Sequence, residues 1–87
     1  MAASTIPTVT VYKNGDSHFP GKKIVVSPKY IRNFDTFLDR VTRDIRAGVA
    51  VRSIRTPAHG TRVTQLNKLD NGGTYVAVGS ERFKALQ

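Results

Sequence analysis

A single stretch of this chain carries the pattern of a long helix, and strands and turns make up the remainder. From Asn33 to Gly48 the sequence reads NFDTFLDRVTRDIRAG. Phe34, Phe37, Leu38, Val41 and Ile45 are spaced three or four residues apart. At about 100° per residue they form one apolar stripe. Asn33 is suited to the N-cap, where its side-chain oxygen can accept a backbone N–H of the first turn. Asp35 places negative charge at the positive end of the helix dipole. Gly48, with Arg46 shortly before it, predicts the C-terminal stop. Arg40 and Arg43 lie off the stripe, and Asp39–Arg43 and Arg40–Asp44 are possible i,i+4 pairs. The result is a helix with an apolar face and a basic back.

The flanking segments supply the sheet. Thr8 to Lys13 alternates, with Val9 and Val11 facing the helix. Asn14-Gly15 is a tight-turn signal, supported by Asp16, and Pro20-Gly21 is a second. Lys22 to Ser27 reads as the other arm of a widened hairpin, ended by Pro28. After the helix, Val49 to Arg55 reads as a third strand, with an irregularity at Arg52 or Ser53 because Val51 and Ile54 break the alternation. Thr61 to Val63 is a short fourth strand. Val63, Leu66 and Leu69 suit one helical turn. Thr74 to Gly79 is apolar on both parities, as a strand buried on two faces requires. Phe83 and Leu86 predict a last docked turn.

This order predicts an α+β chain of the ubiquitin-like β-grasp class, a mixed sheet of four to five strands packed on one main helix. The expected core is Val9, Val11, Phe34, Phe37, Leu38, Val41, Ile45, Leu66, Leu69 and Val76. With 87 residues the chain is expected to be one domain, residues 8–87, after a disordered segment 1–7. Asn71-Gly72-Gly73 precedes a strand, so Gly72-Gly73 reads as a turn rather than a conjugation tail.

Function classes narrow quickly. The chain has no cysteine, so it offers neither disulfide nor thiolate metal site. No apolar run nears the roughly 20 residues of a membrane span, and MAASTIP lacks the form of a signal peptide. A cytosolic or nuclear protein without membrane contact is the expectation. His18 and His59 fall in loops without a second ligand at metal spacing. No phosphate-binding glycine loop or nucleophilic triad is present. Neither enzyme activity nor cofactor is expected. Charge points instead to binding: 14 Lys and Arg against 6 Asp and Glu give +8, spread from Lys13 to Lys84. Such a field attracts acidic partners. Tyr12, Phe19 and Tyr30 are the aromatics without a structural assignment, and no base-reading motif accompanies them.

Several motifs, in order, resemble the doublecortin domain family. Val11-Tyr12-Lys13-Asn14-Gly15-Asp16 is similar to its opening strand and turn, and Phe19 with Gly21 to the next segment. Asn33-Phe34-Asp35, Leu38 and Val41-Thr42-Arg43 resemble its helix. Val51 to Thr56 resembles its third strand, and Leu69, Gly72 and Tyr75-Val76 its last. The turn and the Thr56 to Gly60 segment are most similar to a first, N-terminal repeat, including those of ciliary members. The chain departs from the pattern in its short Ala47–Ala50 loop and in Ala50, where the family has glycine.

The resemblance implies a domain that binds tubulin in the microtubule lattice and helps to stabilise or bundle microtubules, with a cytoplasmic, cytoskeletal location that extends to the cilium. Arg32, Arg43 and Arg52 match positions where the family carries basic residues. Lys22, Lys23, Lys29, Arg40, Arg46 and Arg55 are added on charge alone. The isolated domain is expected to be monomeric. The alternatives are a β-grasp interaction domain that binds an acidic signalling partner, and a nonspecific nucleic-acid binder.

Overall fold

The computed structural model describes residues 6–85. Strands β1 (Thr8–Lys13) and β2 (Lys22–Val25) are followed by helix α1 (Phe34–Asp44). Then come β3 (Ser53–Arg55), β4 (Arg62–Val63), a single 3₁₀ turn (Leu66–Lys68) and β5 (Thr74–Val78). The sheet order is β2-β1-β5-β3-β4. Among the described strands only β1 and β5 run parallel, with Val11 opposite Tyr75 and Tyr12 opposite Val76. One helix on a mixed five-stranded sheet is the expected β-grasp architecture.

The helix follows from its sequence at the start and departs from expectation at the end. Asn33 caps it, accepting from the Thr36 N–H at 2.8 Å and the Thr36 hydroxyl at 2.9 Å. It stops at Asp44, four residues before Gly48. Arg46, not Gly48, is the first left-handed residue, at φ 53°. The Arg46 N–H reaches the Arg43 carbonyl and the Ala47 N–H reaches that of Thr42, at 3.2 and 3.1 Å. These two bonds form a Schellman cap and satisfy the last carbonyls. Of the two expected helix ion pairs, only Arg40–Asp44 forms, at 3.0 Å.

Alternation divides the sheet into two faces. Val9, Val11, Ile24, Ile54, Val63, Tyr75 and Ala77 face α1 and form one cluster with Phe37, Val41, Ile45 and Leu69. Phe34, Leu38 and Leu66 are only half-buried and pack at its border. Val26, Ile31 and Val51 complete the core cluster. The expected third-strand irregularity is present: Ser53 registers with Val78 while the Arg52 N–H also bonds the Val78 carbonyl, at 2.8 Å. Two residues oppose one, as in a bulge. That shift lets Val51 and Ile54 both face the core, and it shortens β3 to three residues.

Val76 and Val78 are buried, yet they belong to the outer face. The C-terminal segment 79–85 covers that face without a helical turn. Phe83 lies against Gly60, where an added Cβ would stand 2.7 Å from its ring. Leu86 lies outside the described residues. At the other terminus the Pro7 carbonyl accepts from the Val26 N–H at 2.8 Å, so sheet pairing starts within the segment expected to be disordered. Residues 1–5 lie outside the described residues.

Candidate functional site

The cations hold distinct positions around this frame. Arg43 and Arg46 sit at the C-terminal end of α1, both exposed. Cations there are favoured by the negative end of the helix dipole. The Thr42 hydroxyl bonds back to the Leu38 carbonyl at 2.8 Å and accepts from the Val51 N–H at 2.9 Å. That tether joins the residue before Arg43 to the residue before Arg52. Arg43, Arg46 and Arg52 therefore gather at one end of the domain, and Arg52 is exposed.

Lys29 and Arg32, both exposed, flank the approach to the other end of α1. The Lys29 ammonium stands 5.6 Å from the Tyr30 ring centroid, and Tyr30 is itself 67% exposed. Lys22 and Lys23 are exposed on edge strand β2, where Lys23 pairs with Thr10 on the outer face. Two candidates differ. Arg40 is engaged by Asp44. Arg55 lies on the outer face, away from the helix, and its guanidinium donates to the Gly60 carbonyl at 3.0 Å.

Among the described residues Arg40–Asp44 is the one ion pair. Most of the basic charge is therefore presented to solvent without an internal counter-ion. No group of three or more His, Cys, Asp or Glu converges among the described residues, and none of the described helices is long and apolar enough to cross a membrane. A cleft of about 330 Å³ lies between the β1–β2 loop and the C-terminal segment, bordered by Tyr12, Phe19, Val76 and Lys84.

Asn14 has a role that its turn-forming character concealed. Its amide donates to the Glu81 carboxylate and the Arg82 carbonyl, each at 2.9 Å. Its oxygen accepts from the Lys84 N–H at 2.7 Å. One side chain thus clamps the C-terminal segment to the end of β1. Donation by Asn14, joined by the Gly79 N–H and outweighing a small desolvation, holds the Glu81 carboxyl below its ordinary pKa. Arg62, Arg82 and Lys84 are further exposed cations that sequence reasoning did not select. Arg62 becomes conspicuous only when the β3–β4 register sets it opposite Arg55.

Comparison with known proteins identifies the frame. The family model described as Doublecortin matches residues 25–83. Doublecortin domain-containing protein 2 of Rattus norvegicus is 41% identical over 87 residues, covering 99% of this chain and 18% of that protein. Doublecortin domain-containing protein 2C of Homo sapiens is 43% identical over 79 residues, covering 91% of this chain and 22% of that protein. Oxygen-regulated protein 1 of Canis lupus familiaris is 37% identical over 68 residues, covering 78% of this chain and 3% of that protein. The chain thus spans about a fifth or less of the length of these relatives. With more than half of its residues matched by the family model, and a fold of the expected class, the chain belongs to the doublecortin family.

Proposed function

We propose that this domain is a microtubule-binding module. The cluster of Arg43, Arg46 and Arg52 meets the acidic surface of tubulin, and Lys29 and Arg32 extend the contact along α1. The observation that carries the reading is the gathering of these three arginines, exposed and without internal ion pairs, at the helix end. Opposite potentials steer such partners together and fix their register more than they add raw affinity. Arg40 is removed from the contact because Asp44 holds it. Family membership supports the same partner, and with it a cytoskeletal location and a contribution to microtubule stabilisation or bundling. The module acts by binding, is monomeric as an isolated domain, and needs neither cofactor nor membrane.

Co-sedimentation with stabilised microtubules tests the reading. The domain is expected in the pellet at low salt, and Arg43→Glu combined with Arg52→Glu is expected to move it to the supernatant. A protein that stays soluble at low salt, or a double variant that pellets like the parent, contradicts it. Equal loss of binding to an unstructured RNA would favour a general polyanion site.

A further inference from the structure

The two edges of the sheet differ in what they offer a partner. The order β2-β1-β5-β3-β4 leaves β2 and β4 at the margins. β4 has two residues, and one of them is the buried Val63. β2 has four, Lys22 to Val25, all in register with β1 and interrupted by neither proline nor bulge. A very short edge strand resists pairing with another chain, whereas a regular one presents a row of free backbone groups.

Hydrogen bonding fixes which groups these are. The Val26 N–H bonds the Pro7 carbonyl at 2.8 Å. Bonded pairs alternate along an antiparallel ladder, so Ile24 with Val9 and Lys22 with Val11 are the next bonded pairs. The other parity of β1 is turned to β5. There the Thr10 N–H bonds the Gly73 carbonyl at 2.9 Å and the Asn14 N–H bonds the Ala77 carbonyl at 3.1 Å. Lys23 and Val25 therefore direct their N–H and carbonyl groups away from β1, to the open edge. No turn or loop among the described residues bonds them there.

Side chains mark the same edge. Ile24 and Val26 belong to the core, so Lys23 and Val25 lie on the outer face. Val25 is 52% exposed. Lys22 and Lys23 are exposed and have no carboxylate partner among the described residues. The Tyr12 ring lies against the bare α-carbon of Gly21, just before β2, where an added Cβ would stand 2.9 Å from it.

We propose that β2 is a strand-addition site for an extended acidic segment of a partner protein. The segment pairs with Lys23 and Val25 through its backbone and sets carboxylates against Lys22 and Lys23. In such pairing the main chain supplies affinity and the side chains supply selectivity. The lysines decide the occupant. Opposite charges on adjacent strands are favourable and like charges are not. A second copy of this chain, itself carrying +8, is thus repelled from the edge that draws an acidic strand. Val25 takes an apolar residue placed between the carboxylates. Nothing in this pairing requires microtubule binding, and its test contains no microtubule.

The probe is a peptide of about six alternating Glu and Val residues with blocked ends, the length of an ordinary strand. It is titrated into the isotope-labelled full chain and followed by amide NMR. The Lys23 and Val25 amides are expected to shift most and to gain protection from exchange. The same peptide with methylated backbone nitrogens keeps every charge but loses its donors, and it is expected to bind roughly tenfold more weakly. Val25→Pro deletes one outward N–H and leaves the β1 ladder whole, so it should weaken the unmodified peptide severalfold. Lys22→Glu with Lys23→Glu should abolish binding. Equal binding by the methylated peptide overturns the proposal, as do shifts centred on Arg43, Arg46 and Arg52 instead of β2. So does a lack of binding at millimolar peptide, or self-association of the chain through the Lys23 and Val25 amides. Methylation alters only the ligand, so its result decides the matter even where Val25→Pro does not fold.

Discussion

Arg46 combines strain and charge in one residue. A non-glycine residue in the left-handed region costs about 1–2 kcal/mol, and Arg46 occupies it at φ 53° to close the helix. Arg46→Gly relieves that strain but adds freedom to the unfolded chain, worth about 0.4–1 kcal/mol. The net expectation is a gain of about 0.5–1 kcal/mol, read from the midpoint of urea unfolding. The same variant should bind microtubules more weakly, because it removes one of the three clustered guanidinium groups. Stability and binding moving in opposite directions would mark Arg46 as retained for its charge. Arg43→Glu isolates the charge alone. Arg43 is exposed and without an ion pair, so its reversal should weaken co-sedimentation while the melting temperature stays within a few degrees. A large drop in melting temperature would mean that Arg43 supports the fold instead.

At the scale of elements, α1 and the C-terminal segment are held in different ways. Phe37 is fully buried in the centre of the helix face. Phe37→Ala leaves a cavity and should cost about 3–5 kcal/mol, a large part of the stability of so small a domain, as chemical denaturation would show. The C-terminal segment instead depends on polar clamps. Asn14→Ala removes its bonds to Glu81, Arg82 and Lys84. Hydrogen exchange at the Lys84 amide should accelerate while amides of β1 and β5 stay protected. Acid acts on the same clamp. Glu81 has a lowered pKa in the folded state, so its contribution is fully present above the unfolded carboxylate value of about 4.3 and is lost as pH falls below it through the folded value. Protection of the Lys84 amide, taken relative to the intrinsic exchange rate at each pH, should therefore fall in that acid range, and Glu81→Gln should flatten the response. The contrast explains what could be read in advance. The stripe from Phe34 to Ile45 and the alternation of β1 follow from side-chain periodicity. The helix ends earlier than Gly48 suggests because a local Schellman cap, closed on the Thr42 and Arg43 carbonyls, takes Arg46 and not glycine as its left-handed residue. The clamp was hidden because Asn14 meets residues 67 to 70 positions away.

For the whole molecule, net charge was legible and its distribution was not. A count of +8 needs only the sequence. Grouping Arg43, Arg46 and Arg52 needs the Thr42 tether, and setting Arg55 opposite Arg62 needs the strand register, both of which are tertiary. Composition also cannot tell that Arg40 is neutralised locally by Asp44 while Arg43, one turn of the same helix away from Asp39, is not. The domain is therefore an apolar core inside a shell of largely unpaired cations, and salt should act on these two parts differently. The Debye length falls from about 10 Å at 0.1 M to about 3 Å at 1 M. Steering of an acidic partner should weaken steeply over that range, whereas core packing, being apolar, is not screened. Microtubule affinity of the full chain should thus fall continuously with added salt, measured by co-sedimentation, while its melting temperature stays level or rises as repulsion among the cations is screened. In the Arg43→Glu, Arg52→Glu variant the residual binding should respond less to salt, because fewer charges remain to be screened. Affinity that stays constant from about 0.1 M to about 1 M salt would show that the contact is not electrostatic and that the clustered arginines are solvated bystanders.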